Sequence, residues 1–207
     1  EDLLAQSARV TIEGAKELQE ITKQPYQPAS SYPETPLAQR LQQVARLIKA
    51  DVGLEVAEVD YGGWDTHQDQ GGVGGQFGNL VQQLGDAVAA FTRDLGERMD
   101  DVVVVTLTDF GRTAAENGTN GTDHGWANAM FLVGGPVFMA HEVAGDSRKV
   151  VTEWPGLGQD QLHEGRDLLH TIDFRDVLAE LVRVHLGNPH LETVMPEHEF
   201  KAPGLVV

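Results

Sequence analysis

Residues 76–107 read QFGNLVQQLGDAVAAFTRDLGERMDDVVVVTL, and this stretch decides the fold class. Phe77, Leu80, Val81, Leu84, Val88, Phe91 and Leu95 recur every three or four positions, one apolar stripe of a helix over about 76–99. The valines at 102–105, followed by Leu107, form a run with no polar alternation, the pattern of a strand covered on both faces of a parallel sheet. Upstream, 54–60 alternates Leu, Val, Ala and Val with polar residues and breaks at Tyr61-Gly62-Gly63, a strand and then a loop. Strand, long helix and buried strand in that order make a βαβ unit. The predicted class is therefore α/β.

Outward from this unit, helical spacing predicts a helix over 2–22 and another from Pro36, a good first-turn residue, to about residue 50. Between them, the prolines at 25, 28 and 33 mark an irregular loop within 24–36. Further on, 127–133 reads as a strand stopped by Gly134-Gly135-Pro136, and a weaker strand is expected over 149–153. Asp173 reads as the N-cap of a last helix over 174–186, closed by Gly187. The 207 residues fit a single domain.

The formal charge of −17 argues against a nucleic-acid backbone or an anionic lipid surface as partner, since both repel an acidic protein. No apolar run approaches the ~20 residues of a membrane span. With no cysteine, a metal would have to be held by oxygen and imidazole. Residues 1–4 show neither the basic start nor the apolar core of a signal peptide.

Three loops carry the candidate chemistry. In GGWDTH at 62–67, Asp65 and His67 are two apart, so an extended backbone sends both side chains to one face. Spacing alone leaves two readings open: a pair of metal ligands, or a turn cap beside a solvated histidine. In TDFGRT at 108–113, Asp109 follows the apolar strand at the end where open α/β sheets bind ligands, and it reads equally as ligand or helix cap. Arg112 offers a planar fork for an oxyanion, or a salt bridge to Asp109 or Glu116. In TDHG at 122–125, His124 is the expected ligand, and Asp123 its orienting partner or a loop contact. Trp64 and Trp126 either wall this pocket or pack, and the Asn-x-Thr triplets at Asn117 and Asn120 read as turn chemistry. The other histidines have no partner at ligand spacing. One ion with bonds of ~2.0–2.6 Å cannot join groups more than ~8 Å apart, so Asp65 and His124 must converge if the metal reading holds.

The ordered set GGWDTH, VVVVTLTDFGRT, NGTDHG, FLVGG and TIDFRDVL, within about 37–187, resembles the uncharacterised bacterial family catalogued as domain of unknown function fifteen-oh-one. That family is grouped with the alkaline phosphatase and sulfatase superfamily. The resemblance implies a three-layer α/β/α sandwich with a mostly parallel sheet. It implies metal-dependent hydrolysis or transfer of small phosphate or sulfate esters. By the same resemblance Asp65, His67 and His124 correspond to the ligands of one divalent metal (zinc, manganese, magnesium or calcium). Asp109 corresponds to the aspartate of a second metal's Asp-His pair, and Arg112 is the candidate catalytic residue that neutralises developing charge. Family members are often exported, so a periplasmic or extracellular home is expected.

The sequence departs from the superfamily pattern in three ways. The first pair is Asp-x-His rather than Asp-x-x-x-His; Phe110 stands where the second pair's histidine would be; and the strand bearing the nucleophile has no counterpart. The expectation is thus a C-terminal portion, incomplete at the N-terminus, with a sheet edge open to self-association. The competing expectation is a non-catalytic envelope binding or scaffold protein with a structural metal or none.

Overall fold

The computed structural model describes residues 2–137 and 150–207, which fall into two units, Glu1–Tyr61 with Gln82–Gly96 and Gly62–Val81 with Glu97–Val207.

In the first unit, helix α1 (Leu3–Lys23) starts where the Asp2 carboxylate accepts the Leu4 N–H at 3.2 Å. It buries no residue: Leu3 and Leu4 are each 76% exposed. Helix α2 (Pro36–Lys49) starts on Thr35, whose hydroxyl accepts the Ala38 N–H, and it buries Leu37, Ala38, Leu41 and Ala45. Helix α3 (Gln76–Leu95) contributes its residues from Gln82 on to this unit and buries Ala87, Ala90, Phe91 and Leu95, whereas Phe77 and Val81, which belong to the second unit, are exposed. Only the C-terminal part of the predicted stripe is therefore covered. Gly96, at a φ of +55°, ends the α-helix, and Gly96–Asp101 continues as a 3-10 turn where four more helical residues were expected.

The first unit is held at one buried charge. Asp94 Oδ2 accepts from the hydroxyls of Tyr26 (2.6 Å) and Tyr32 (2.9 Å), and Oδ1 accepts from the Ala29 N–H (2.7 Å) and Lys49 Nζ (2.5 Å). Burial alone would raise this carboxyl's pKa, but the Lys49 ammonium and the other donors outweigh it and hold it below the usual range. Burial and the ionised Asp94 push both tyrosine hydroxyls upward.

In the second unit, β1 (Val103–Val105) pairs antiparallel with β4 (Leu132–Gly134), Val104 opposite Val133. Between them, β2 (Gly111–Arg112) and β3 (His124–Gly125) form a short antiparallel ribbon with Arg112 opposite His124. Helix α4 (Phe174–Glu180) runs into a π turn, Leu181–His185, stopped by Gly187 at a φ of +65°, and α5 (Leu191–Val194) follows. Val177 and Leu181 are buried with Leu205 and Val206, against Val103, Val105 and Leu132. The buried Glu180 carboxylate receives the N–H groups of Gly204, Leu205 and Val206 and so anchors the last residues on α4.

The predicted three-layer sandwich with a mostly parallel sheet is overturned: among the described residues the strands form two-stranded antiparallel sheets. Residues 54–60 join no ladder, and Leu54 and Val56 are exposed. A valine run encodes burial but not the direction of its neighbour. Direction is set by the connection, and a parallel partner needs a crossover, usually helical. Residues 106–131 contain the β2–β3 ribbon and no helix, so the chain returns beside β1 in the opposite sense. The valines are accordingly half-buried, not covered on both faces. The strand expected over 127–133 is reduced to β4, and 150–153 forms none; Lys149 and His141 lie outside the described residues. No described helix is long and apolar enough to cross a membrane.

Asp173 caps α4 as expected, its Oδ1 accepting the Arg175 N–H at 2.9 Å. The Arg175 guanidinium on the same carboxylate, which outweighs the effect of burial, lowers its pKa to about 2. A folded pKa below the unfolded ~3.9 means the cap stabilises fully above that value and is lost as pH falls through about 2. Asp173→Ala is expected to cost about 1 kcal/mol at neutral pH. The gap between the two proteins should close as the pH of tryptophan-monitored urea unfolding is lowered from 4 to 2; a gap constant with pH would contradict this assignment.

Candidate metal centre

Two hydrogen-bonded seams bring the candidate loops together in the second unit. The Asp69 and Gln70 N–H groups donate to the carbonyls of Thr119 and Asn120 (2.9 Å each), and the Thr122 N–H to that of Thr66 (3.3 Å). The buried Thr66 hydroxyl and the Thr122 hydroxyl both donate to Gln70 Oε1, at 3.0 and 2.8 Å. Gly121 is required at the contact: a Cβ there would lie 2.3 Å from the His67 backbone. On the other side, the β2–β3 ribbon sets Arg112 across from His124.

The result is convergence on Asp65. Its Oδ1 lies 3.0 Å from His67 Nε2, 2.8 Å from His124 Nε2 and 3.3 Å from an Arg112 terminal nitrogen. One ligand atom from each of Asp65, His67 and His124 falls within 4.8 Å of the other two. The His124 hydrogen bond, with the charges of His67, His124 and Arg112, holds the Asp65 carboxyl below its usual range against slight desolvation. The group is open to solvent, with the side chains of Asp65, His67 and His124 61%, 41% and 51% exposed.

His67 has a carboxylate at each ring nitrogen, for its Nδ1 lies 3.0 Å from Asp123 Oδ1. Asn117 Nδ2 also donates to Asp123 Oδ1 (2.9 Å), and these two bonds lower the Asp123 pKa. Asp123 thus orients His67, where the sequence suggested His124. His124 is oriented instead by Phe110, whose ring stacks on it at 4.2 Å and 4°. Phe110, in the place of the expected second-pair histidine, therefore packs on a candidate ligand.

Of the expected site residues, Asp65, His67 and His124 meet. Asp109 does not: it is exposed and lies outside this group. Arg112 reaches the site but commits its fork to backbone, donating to the carbonyls of Trp64 and Thr122, with its guanidinium over the Phe110 ring at 4.8 Å. It ties the 62–67 and 122–125 loops together and places a positive charge beside Asp65.

Trp64 packs edge-on against Phe77 at 5.8 Å. Trp126 stacks on His163 at 4.6 Å and donates from Nε1 to His170 Nδ1 at 2.6 Å, a grouping that no spacing in the sequence signals. Asn117 and Asn120 serve as turn residues, Asn120 at a φ of +59°, and both amides are engaged in loop hydrogen bonds.

The family model described as "Protein of unknown function (DUF1501)" matches residues 3–188. The chain belongs to this family. No curated protein and no solved structure matches it.

Proposed function

We propose that Asp65, His67 and His124 hold one divalent metal ion, and that this ion serves a hydrolase-type centre acting on small phosphate or sulfate esters. One observation carries the reading. Two imidazole Nε2 atoms and a carboxylate oxygen converge, and His67 faces carboxylates from both nitrogens. A neutral imidazole has one N–H and one lone pair. With the proton directed to Asp123, the Nε2 lone pair opposes the Asp65 oxygen, and a cation between them removes that repulsion. Tetrahedral ligands at ~2.0–2.2 Å stand ~3.3–3.6 Å apart, which small outward shifts of these side chains reach.

Two nitrogens and one oxygen suit zinc or a similar transition metal better than magnesium or calcium, which prefer oxygen shells. Three protein ligands on an exposed face leave a position for water or substrate, the pattern of catalytic rather than structural sites. When bound, such an ion polarises an ester oxygen and lowers the pKa of bound water. Asp65 and the imidazoles would hold the ion, Asp123 and Phe110 would fix the rings, and Arg112 would add positive charge where phosphate or sulfate approaches. Since Asp109 lies apart, the proposal is for a single ion.

The test is metal content after zinc loading and desalting, measured by elemental analysis. The native protein should retain about one zinc per chain, His124→Ala little, and Asp109→Ala as much as the native protein. Equal zinc in the native and His124→Ala proteins would overturn the site. Zinc-dependent cleavage of an aryl phosphate or aryl sulfate, lost in His124→Ala, would assign the reaction.

A further inference from the structure

Asn117 makes more directed bonds than its turn requires. Its Oδ1 accepts the N–H groups of Thr119 and Gly121, each at 3.0 Å, and the Thr119 hydroxyl at 2.9 Å. These bonds close the 117–121 turn, as an Asx-type turn residue does. Its Nδ2 points the other way and donates to the His67 carbonyl (3.0 Å) and to Asp123 Oδ1 (2.9 Å). The acceptor side therefore builds the loop, and the donor side holds both ends of one neighbouring residue.

From this geometry we infer that Asn117 is a positioning residue for the metal ligand His67, acting through Asp123. One N–H fixes the His67 backbone while the other fixes the carboxylate that binds Nδ1. Together they hold the ring in the tautomer with hydrogen on Nδ1 and the Nε2 lone pair turned toward Asp65. The Thr119 hydroxyl, whose one hydrogen is shared between Asn117 Oδ1 and the His67 carbonyl (2.8 Å), braces the backbone but does not touch the Asp123 link. A partner that orients a metal-binding histidine through its second nitrogen typically accounts for 10–100-fold in metal affinity. This inference rests on the single-ion reading above, but the tautomer preference is a property of the metal-free ring.

Asn117→Asp separates the two sides of the residue. It keeps the oxygen that Thr119 and Gly121 need, removes both donated N–H bonds, and sets a carboxylate against Asp123. Thr119→Ala is the loop control, since it weakens the turn while leaving the Asn117 donors in place. Two readouts apply to the full chain. The first is nitrogen-detected NMR of labelled histidines at pH 8 without metal, which reports which nitrogen of His67 carries the proton. The second is the dissociation constant of zinc, measured by competition with a chromophoric chelator.

The native protein and Thr119→Ala should show His67 protonated on Nδ1, and Asn117→Asp should lose that preference. Zinc should bind Asn117→Asp about 10–100-fold more weakly than the native protein. An unchanged His67 tautomer in Asn117→Asp overturns the assignment, as does the same loss in Thr119→Ala, which would make the effect one of loop packing. If Asn117→Asp fails to fold, judged by its near-UV circular dichroism, Asn117→Ala takes its place with the same two outcomes. Failure of the native protein to bind zinc would sink the metal reading, and the tautomer would still decide the role of Asn117.

Discussion

Asp94→Ala is expected to lower the stability of the first unit by about 3–5 kcal/mol, the usual cost of removing one member of a buried ion pair. The carboxylate satisfies four donors at once, from Tyr26, Tyr32, Ala29 and Lys49, and its side chain is fully buried. Without it the Lys49 charge, whose side chain is 28% exposed, loses its counter-ion, and two tyrosine hydroxyls lose their acceptor. Asp94→Asn, which keeps one oxygen acceptor, should cost less. The readout is built into the chain: Tyr26, Tyr32 and Tyr61 all lie in the first unit, and Trp64, Trp126 and Trp154 in the second. Tyrosine fluorescence during urea unfolding should therefore register the loss. A tyrosine-reported transition unmoved by Asp94→Ala would show that this carboxylate is not holding the unit together.

Asp65→Ala is expected to have the largest effect on the proposed metal centre, weakening zinc by more than ~100-fold, beyond the range typical of orienting partners. Asp65 is the junction of the group: His67, His124 and Arg112 all turn toward its Oδ1, and removing it leaves two imidazoles and a guanidinium facing one another. Zinc titration by calorimetry should show the loss. The tryptophan-monitored unfolding midpoint should move little, because the carboxylate is exposed and the loops remain tied by the seams at Asp69, Gln70 and Thr122. Unchanged zinc affinity would remove Asp65 as a ligand and the proposed centre with it.

The parts of this molecule legible in the sequence are those set by local chemistry. The first two helices, the Asp173 cap and the Gly187 stop follow from side chains acting within a turn of their own backbone. The two loops carrying Asp65, His67 and His124 are also legible, because histidine close to aspartate among glycines is a local composition. Less of the sheet was readable. Four valines in a row state that a strand prefers to be covered, and antiparallel pairing satisfies that preference as well as parallel pairing does. The alternation at 54–60 has the same limit: it describes a strand's faces and says nothing of what lies along its edges.

Within the site, the same boundary separates the candidate ligands from the side chains that support them. Asp123 adjoins His124 in the chain yet serves His67, 56 positions away, because adjacent side chains on an extended backbone point apart. Arg112 was marked as an anion-binding fork, but the carbonyls of Trp64 and Thr122 reach it first. The buried Asp94 with its tyrosines, and the grouping of Trp126 with His163 and His170, left no local mark at all.

By itself the sequence determined the helices, their caps and stops, the family, and which residue types could hold a metal. Only the tertiary structure decided strand direction, the convergence on Asp65, and which side chain orients which ring. The physical reason is range. Helix propensity and capping act across three or four residues, so the sequence lists both partners side by side. The β1–β4 pairing and the convergence on Asp65 join residues 27 to 59 positions apart, and the closure of the intervening loops, which no short motif encodes, fixes who meets whom.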